Sequence, residues 1–215
     1  MTTDELIATL ARSSEPAPPA RFTKRIAVAL LAGLVLGLIA LKFTFHFRPD
    51  IGVAAPIVAL KAGLSALIAT FAGGLAMTMA RPLKKGSEQA KHAAGPLVIL
   101  VCACLTIGAI TLFSTDANHR FEAFTGGGFP WCIVLIPLFG LPTAALLMWA
   151  FKDAAPTRLA LAGASIGALS GGVGAIVYAM FCPIDSVAFV TIWYVAGIGV
   201  AAALGAWAGV KLLRW

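Results

Sequence analysis

Six apolar runs, at residues 26–47, 54–80, 95–114, 131–151, 159–181 and 189–212, constrain this chain more than any other feature. A helix needs roughly 20 apolar residues to cross the hydrocarbon of a bilayer, and every run reaches that length. The interruptions are charged or turn-forming: Arg48-Pro49-Asp50, the stretches 81–95, 115–130 and 152–158, and the short connection 182–186. Backbone polar groups in lipid must bond within their own segment, which makes each run a helix. None of the runs shows the sustained polar/apolar alternation of a barrel strand. The expected fold is therefore an all-α integral membrane protein, a bundle of six transmembrane helices preceded by a short cytoplasmic N-terminal helix. Two parts follow: an N-terminal segment, 1–25, and a membrane domain, 26–215. Only 12% of residues are charged, where soluble domains have about 25%. The spans use most of the 215 residues and leave no room for a separate catalytic domain.

Orientation follows from the basic residues. With the N-terminus inside, Arg12, Arg21, Lys24, Arg25, Arg81, Lys84, Lys85, Lys91, Lys152, Arg158, Lys211 and Arg214 are all cytoplasmic, twelve of the sixteen Lys and Arg. Lys42, Arg48 and Arg120 fall outside. That asymmetry satisfies the positive-inside rule, so both termini are expected in the cytoplasm of a cell inner membrane. It also explains the +7 net charge without nucleic acid, since the basic residues form no dense stripe. Trp131, Trp193 and Tyr194 at outer ends, and Trp149 and Trp215 at inner ones, read as an aromatic belt. The polar lead of about 25 residues before the first run is too long for an ordinary signal peptide.

None of the nine acidic residues lies well inside a span. Ion-coupled carriers keep a carboxylate near the midplane, so a coupled transporter is disfavoured, while a simple facilitator is not. Lys61 is the charged residue within a run, and the favoured reading is a side chain that snorkels to the outer interface. Gly163, Gly167 and Gly171, and likewise Gly197, Ala201, Gly205 and Gly209, recur every four residues. Such stripes let helices approach closely, inside the bundle or at a homodimer seam. Cys102 and Cys104 stand about 200° apart on a helix and read as buried small side chains. Cys132 and Cys182 reach the same outer level. Two readings of them stay open: a pair that forms a disulfide or holds a soft metal ion, with His46, His119 and Asp185 on the same side and able to assist, or two buried thiols.

Thr2 to Glu5 suits a capping box, after which Leu6, Ile7 and Leu10 share one helical face. The Pro-rich stretch 15–19 follows as a spacer. So short a helix gains order by laying its apolar face in a partner's groove or on the lipid surface.

The opening Thr3-Asp4-Glu5-Leu6-Ile7-Ala8-Thr9-Leu10-Ala11, the six spans, Pro130-Trp131-Cys132, and above all Cys182-Pro183-Ile184-Asp185-Ser186-Val187-Ala188-Phe189 running on to Trp193-Tyr194 give the chain a family likeness over its whole length. It resembles the NrsF-type membrane anti-sigma factors, negative regulators of an extracytoplasmic-function sigma factor. The resemblance implies a regulator with no cofactor and no enzyme activity. Asp4, Glu5, Leu6, Ile7 and Leu10 would hold the sigma factor at the membrane, and Cys132 and Cys182 would sense oxidants or thiol-reactive metals. The partner so implied is the sigma factor, beside the bilayer that the spans require and the second copy of the chain that the glycine stripes allow. The competing enzyme reading, a membrane thiol oxidoreductase, expects a Cys-x-x-Cys pair that the sequence lacks. A small-molecule facilitator is the transport alternative.

Overall fold

The computed structural model of the chain describes residue 5 and residues 19–80, 86–127, 130–154 and 156–214, without the side chains of 19–21, 86–91 and 153. Regular structure among the described residues is helical throughout. In chain order the helices are α1 (Pro19–Thr44), α2 (Ala55–Met79), α3 (Gly86–Ser114), α4 (Ala117–Thr125), α5 (Cys132–Phe151), α6 (Leu159–Ala179) and α7 (Val187–Leu212). All but α4 contain a stretch long and apolar enough to cross a membrane. Their ends lie close to the limits set by the apolar runs. The largest difference is at α3, which continues through the polar residues from Gly86. Extending an existing helix costs far less than starting one, so polar residues join it readily.

Two local features escape the apolar pattern. The loop between the third and fourth spans contains α4, ended by Gly126 in the left-handed region at φ 68°, whose N–H donates to the Glu122 carbonyl at 2.7 Å. Inside α7, Val190–Tyr194 form a π turn. Such turns are rare and often mark functional sites.

The most buried helix is α6, and it packs on α1, α2, α5 and α7. Its sequence is built from Gly, Ala and Ser, and different glycines serve different neighbours. Gly163, Gly167 and Gly171 face Gly205, Ala201 and Ile198 of α7, Gly172 faces Ser65 and Ala69 of α2, and Gly174 faces Ile136 and Gly140 of α5. Gly197 lies against Cys132 and Ile136. The two small-residue stripes thus meet each other, or α5, within one chain, the first of their two readings. By contrast α3 sits at the margin and is the least buried of the spans.

Backbone approach this close tolerates no added carbon. A Cβ at Gly163 runs into the Gly205 carbonyl, whereas one at Gly74 meets nothing within 4 Å. Gly163→Ala is expected to destabilise by about 1–3 kcal/mol through overpacking. Gly74→Ala gains helix propensity and is expected to be neutral or stabilising by up to ~1 kcal/mol. Unfolding of the two variants in detergent micelles checks the opposite signs.

Three sequence expectations are corrected by burial. Tyr194 is not in an interfacial belt but fully enclosed in the core. Trp193 turns inward enough for its indole N–H to bond the Phe124 carbonyl at 2.7 Å, while Trp131 and Trp149 are exposed as a belt requires. Cys102 is exposed, although Cys104 is buried. The α helix places residues two apart on different faces, and here one of those faces looks away from the bundle.

Candidate functional site

At one end of the bundle the connections 45–54 and 180–186 meet. The first is shaped by His46, whose φ of 66° lies in the left-handed region. This conformation closes α1, with Phe45 and His46 both donating their N–H groups to the Leu41 carbonyl at 2.9 and 3.0 Å. The chain then turns so that the Arg48 N–H donates to the carbonyl of Met180 at 3.1 Å.

The Arg48 side chain is buried and fully engaged. Its Nε and Nη2 donate to the two oxygens of Asp50, each at 2.8 Å. On its other side Nη1 and Nη2 donate to the two oxygens of Asp185, at 3.1 and 3.3 Å, and Nη1 also reaches the Cys182 carbonyl at 3.3 Å. Planar guanidinium geometry makes such double bidentate pairing natural for arginine and unavailable to lysine. The bonds to Asp50 and Asp185 hold the Arg48 pKa well above its ordinary value.

Lys61 converges on the same spot from α2. Its Nζ donates to the Asp185 carboxylate at 2.7 Å, the Ile184 carbonyl at 2.6 Å and the Cys182 carbonyl at 3.2 Å. An ammonium has three protons, and all three have acceptors. With 1% of its surface exposed, Lys61 does not snorkel to the interface, which corrects the sequence reading. A charge this buried is stable only when paired and bonded, and the 182–185 segment supplies both. Burial alone would raise the Asp185 pKa, but the hydrogen bonds from Arg48 and Lys61 outweigh it and hold the carboxyl below its ordinary value of 3.8. The Arg48 hydrogen bond does the same for Asp50.

Cys132 and Cys182 lie beneath this cluster. Both are free and wholly buried. Cys132 opens α5, and Cys182 follows α6 with its N–H donating to the Tyr178 carbonyl at 3.0 Å. The two thiols share a neighbour, since both interact electrostatically with the Tyr178 side chain. The second tyrosine, Tyr194 of the π turn, packs against Tyr178 with ring centroids 5.7 Å apart and the rings tilted by 59°, and interacts electrostatically with Cys182. Its buried hydroxyl makes no hydrogen bond of ordinary geometry. Two thiols and two phenols therefore form one enclosed polar group in an otherwise apolar core. Such a group can lose two protons and two electrons to become a disulfide, or lose two protons to a soft ion.

The remaining predicted residues are placed as follows. Asp185 is in the cluster. His46 and His119 are exposed, and among the described residues no group of three or more His, Cys, Asp or Glu side chains is arranged to hold a metal ion. Glu5 is exposed; Asp4, Leu6, Ile7 and Leu10 lie outside the described residues. Arg48, Tyr178 and Tyr194 were missed as site residues. A buried lysine needs a counter-ion, a requirement that could have led to Asp185 in the connection at the same end. Tyr178 stands one helical turn before Cys182, a spacing that could have marked it as a neighbour.

No solved structure matches the chain. The family model described as "Negative regulator of sigma F" matches residues 10–215. Among curated proteins, the chain is 38% identical over 225 residues to "Anti-sigma-F factor NrsF" of Caulobacter vibrioides (strain NA1000 / CB15N), covering 100% of both chains. It is 31% identical over 220 residues to "Probable anti-sigma-F factor NrsF" of Azospira oryzae (strain ATCC BAA-33 / DSM 13638 / PS), again covering 100% of both. Six membrane-type helices and a full-length match to both relatives agree with the resemblance carried by the Cys-Pro-Ile-Asp-Ser run, and the chain belongs to the NrsF family of negative regulators of sigma F.

Proposed function

We propose that this protein is a regulator and not an enzyme: a membrane anti-sigma factor that holds an extracytoplasmic-function sigma factor through its cytoplasmic N-terminal segment, and releases it when Cys132 and Cys182 react. The relatives' names support the sigma-factor partner. One observation carries the sensing half. Two cysteines fifty positions apart meet in a single buried group around Tyr178 and Tyr194, next to the most charged cluster of that end of the bundle. Oxidation would join the two sulfurs in one S–S bond, release two protons and pass two electrons to the oxidant, a peroxide or another thiol-directed agent. A thiophilic metal ion would instead displace two protons and bridge the thiolates. Both reactions tie the start of α5 to the connection between α6 and α7. The constraint acts only through the difference it makes between two packings of the bundle. The positive-inside pattern supports an orientation with this end outside a cell inner membrane and both chain termini in the cytoplasm.

Cys132→Ser and Cys182→Ser are each expected to leave basal repression of a sigma-dependent reporter intact and to abolish its induction by oxidant or thiophilic metal. Normal induction in both variants rules out thiol sensing. Because neither sulfur is exposed, a bulky maleimide is expected to label the unreacted protein much more slowly than a small methanethiosulfonate. Equal rates in intact membranes would contradict the enclosure of the pair.

A further inference from the structure

We propose that Lys61 and Arg48 are the coupling element of this sensor, a two-cation clamp that carries a change at the thiols to α1 and so to the N-terminal segment. The proposal rests on the thiol-sensing reading and adds the residues that transmit it. Every second carbonyl of the segment that bears Cys182 is held by these two residues. Met180 receives the Arg48 backbone N–H, Cys182 receives both the Arg48 guanidinium and the Lys61 ammonium, and Ile184 receives Lys61 again. Asp185 then closes the group with a salt bridge to each cation. The sulfur of Cys182 thus belongs to a residue whose own backbone oxygen is bonded to two positive charges. Moving that backbone without moving Arg48 or Lys61 strips bonds from cations that have almost no access to water.

This arrangement is a poor way simply to fasten a loop. Apolar packing of similar volume usually holds at least as well as a buried ion pair, because the ions lose their hydration. Its useful property is discreteness: charged hydrogen bonds are either made or exchanged for others. The Asp185 carboxylate is 37% exposed, so water is the alternative partner available to it when the loop shifts, while the cations have none. A second arrangement therefore requires Arg48 and Lys61 to move with the loop. Arg48 lies four residues beyond the end of α1. That helix has 26 residues, roughly 39 Å at 1.5 Å per residue, and runs back to the opposite end of the bundle, where the N-terminal segment begins. Lys61 lies in the second turn of α2, the other arm of the same hairpin.

The experiment uses the full chain in membranes with a sigma-dependent reporter, and reads the thiols separately by mass after alkylation. Lys61→Met keeps length and flexibility, and leaves Asp185 paired with Arg48. It is expected to retain basal repression and normal reaction of Cys132 and Cys182, while the induction ratio falls by roughly 5-fold or more, the lower end of common coupling strengths. Lys61→Arg, which keeps the cation, is expected to recover most of the response. Arg48→Met provides an independent comparison if Lys61→Met fails to accumulate in the membrane. Normal induction in Lys61→Met and Arg48→Met overturns the proposal. So does loss of thiol reaction, which would place their action on the sulfurs themselves, and so does constitutive release with unreacted thiols, which would make the clamp a lock on the repressing state. Cys132→Ser and Cys182→Ser run alongside: if these induce normally the sensing reading fails, a failure visible in the cysteine variants and not in Lys61→Met.

Discussion

Asp185→Ala is expected to be among the most destabilising single substitutions at this end of the bundle, on the order of 3 kcal/mol by reversible unfolding in detergent. The carboxylate is the shared anion of two buried cations, and removing it leaves Lys61 with carbonyl partners only and Arg48 with Asp50 and the Cys182 carbonyl. Deleting one partner of a buried pair commonly costs 3–5 kcal/mol, and the value here falls at the low end because Asp185 keeps about a third of its surface in contact with solvent. Lys61→Met should cost distinctly less. It removes a buried charge rather than stranding one, and its apolar side chain suits the surroundings. A larger loss for Lys61→Met than for Asp185→Ala would contradict the view that the carboxylate exists to satisfy the cations. The pH dependence has a definite sign. Asp185 and Asp50 titrate below their ordinary value of 3.8 in the folded chain, so their contribution is complete above that pH and is lost as the pH falls through the lower folded values. In Asp185→Asn the acid-induced part of the loss should shrink, because the group that would have taken up the proton is gone.

The second large effect is expected in the N-terminal segment. In Leu6→Asp a charge enters the apolar face shared by Leu6, Ile7 and Leu10, the face proposed to lie in a groove of the sigma factor. Central apolar anchors of such helix-in-groove contacts contribute about 2 kcal/mol or more, so affinity should fall by about 30-fold or more. A sigma-dependent reporter should then be active without any inducer, while the chain remains at normal level in the membrane. Ala8→Asp, on the opposite side of the same helical pattern, should change little. Co-purification of the sigma factor with full-length protein from membranes measures both. Undiminished capture by Leu6→Asp would remove this face from the interface. Leu6→Asp, proposed to act on the sigma-factor contact alone, should leave the reaction of Cys132 and Cys182 unchanged.

The number, order and approximate limits of the spans were legible in the chain because lipid imposes one simple rule, that a long apolar run satisfies its own backbone as a helix. The shared surroundings of Cys132 and Cys182 were half legible. Connectivity put both at one level of the membrane, but level alone does not bring side chains together. That depended on α6 being lined with glycines, which let α5 and α7 close on it and carry Cys132 and Tyr194 to Tyr178 and Cys182. The loop helix α4 and the π turn were not legible, since both are short and stabilised by contacts made elsewhere, such as Trp193 with Phe124 and Ser186 with Ala123.

Lys61 marks the boundary most clearly. By itself the sequence determined that a lysine lies within the second span, that Asp185 lies in a connection at the same end of the bundle, and that a charge in lipid must find a partner or an exit. Whether it found the partner or the exit was decided only when α2, α6 and the turn after α1 packed together and placed three acceptors around one ammonium. The physical reason is the difference in range between the two kinds of information. Hydropathy and helix periodicity are properties of neighbours along the chain, whereas the pairing of Lys61 and Arg48 with Asp185 joins residues 124 and 137 positions apart and exists only in the folded bundle.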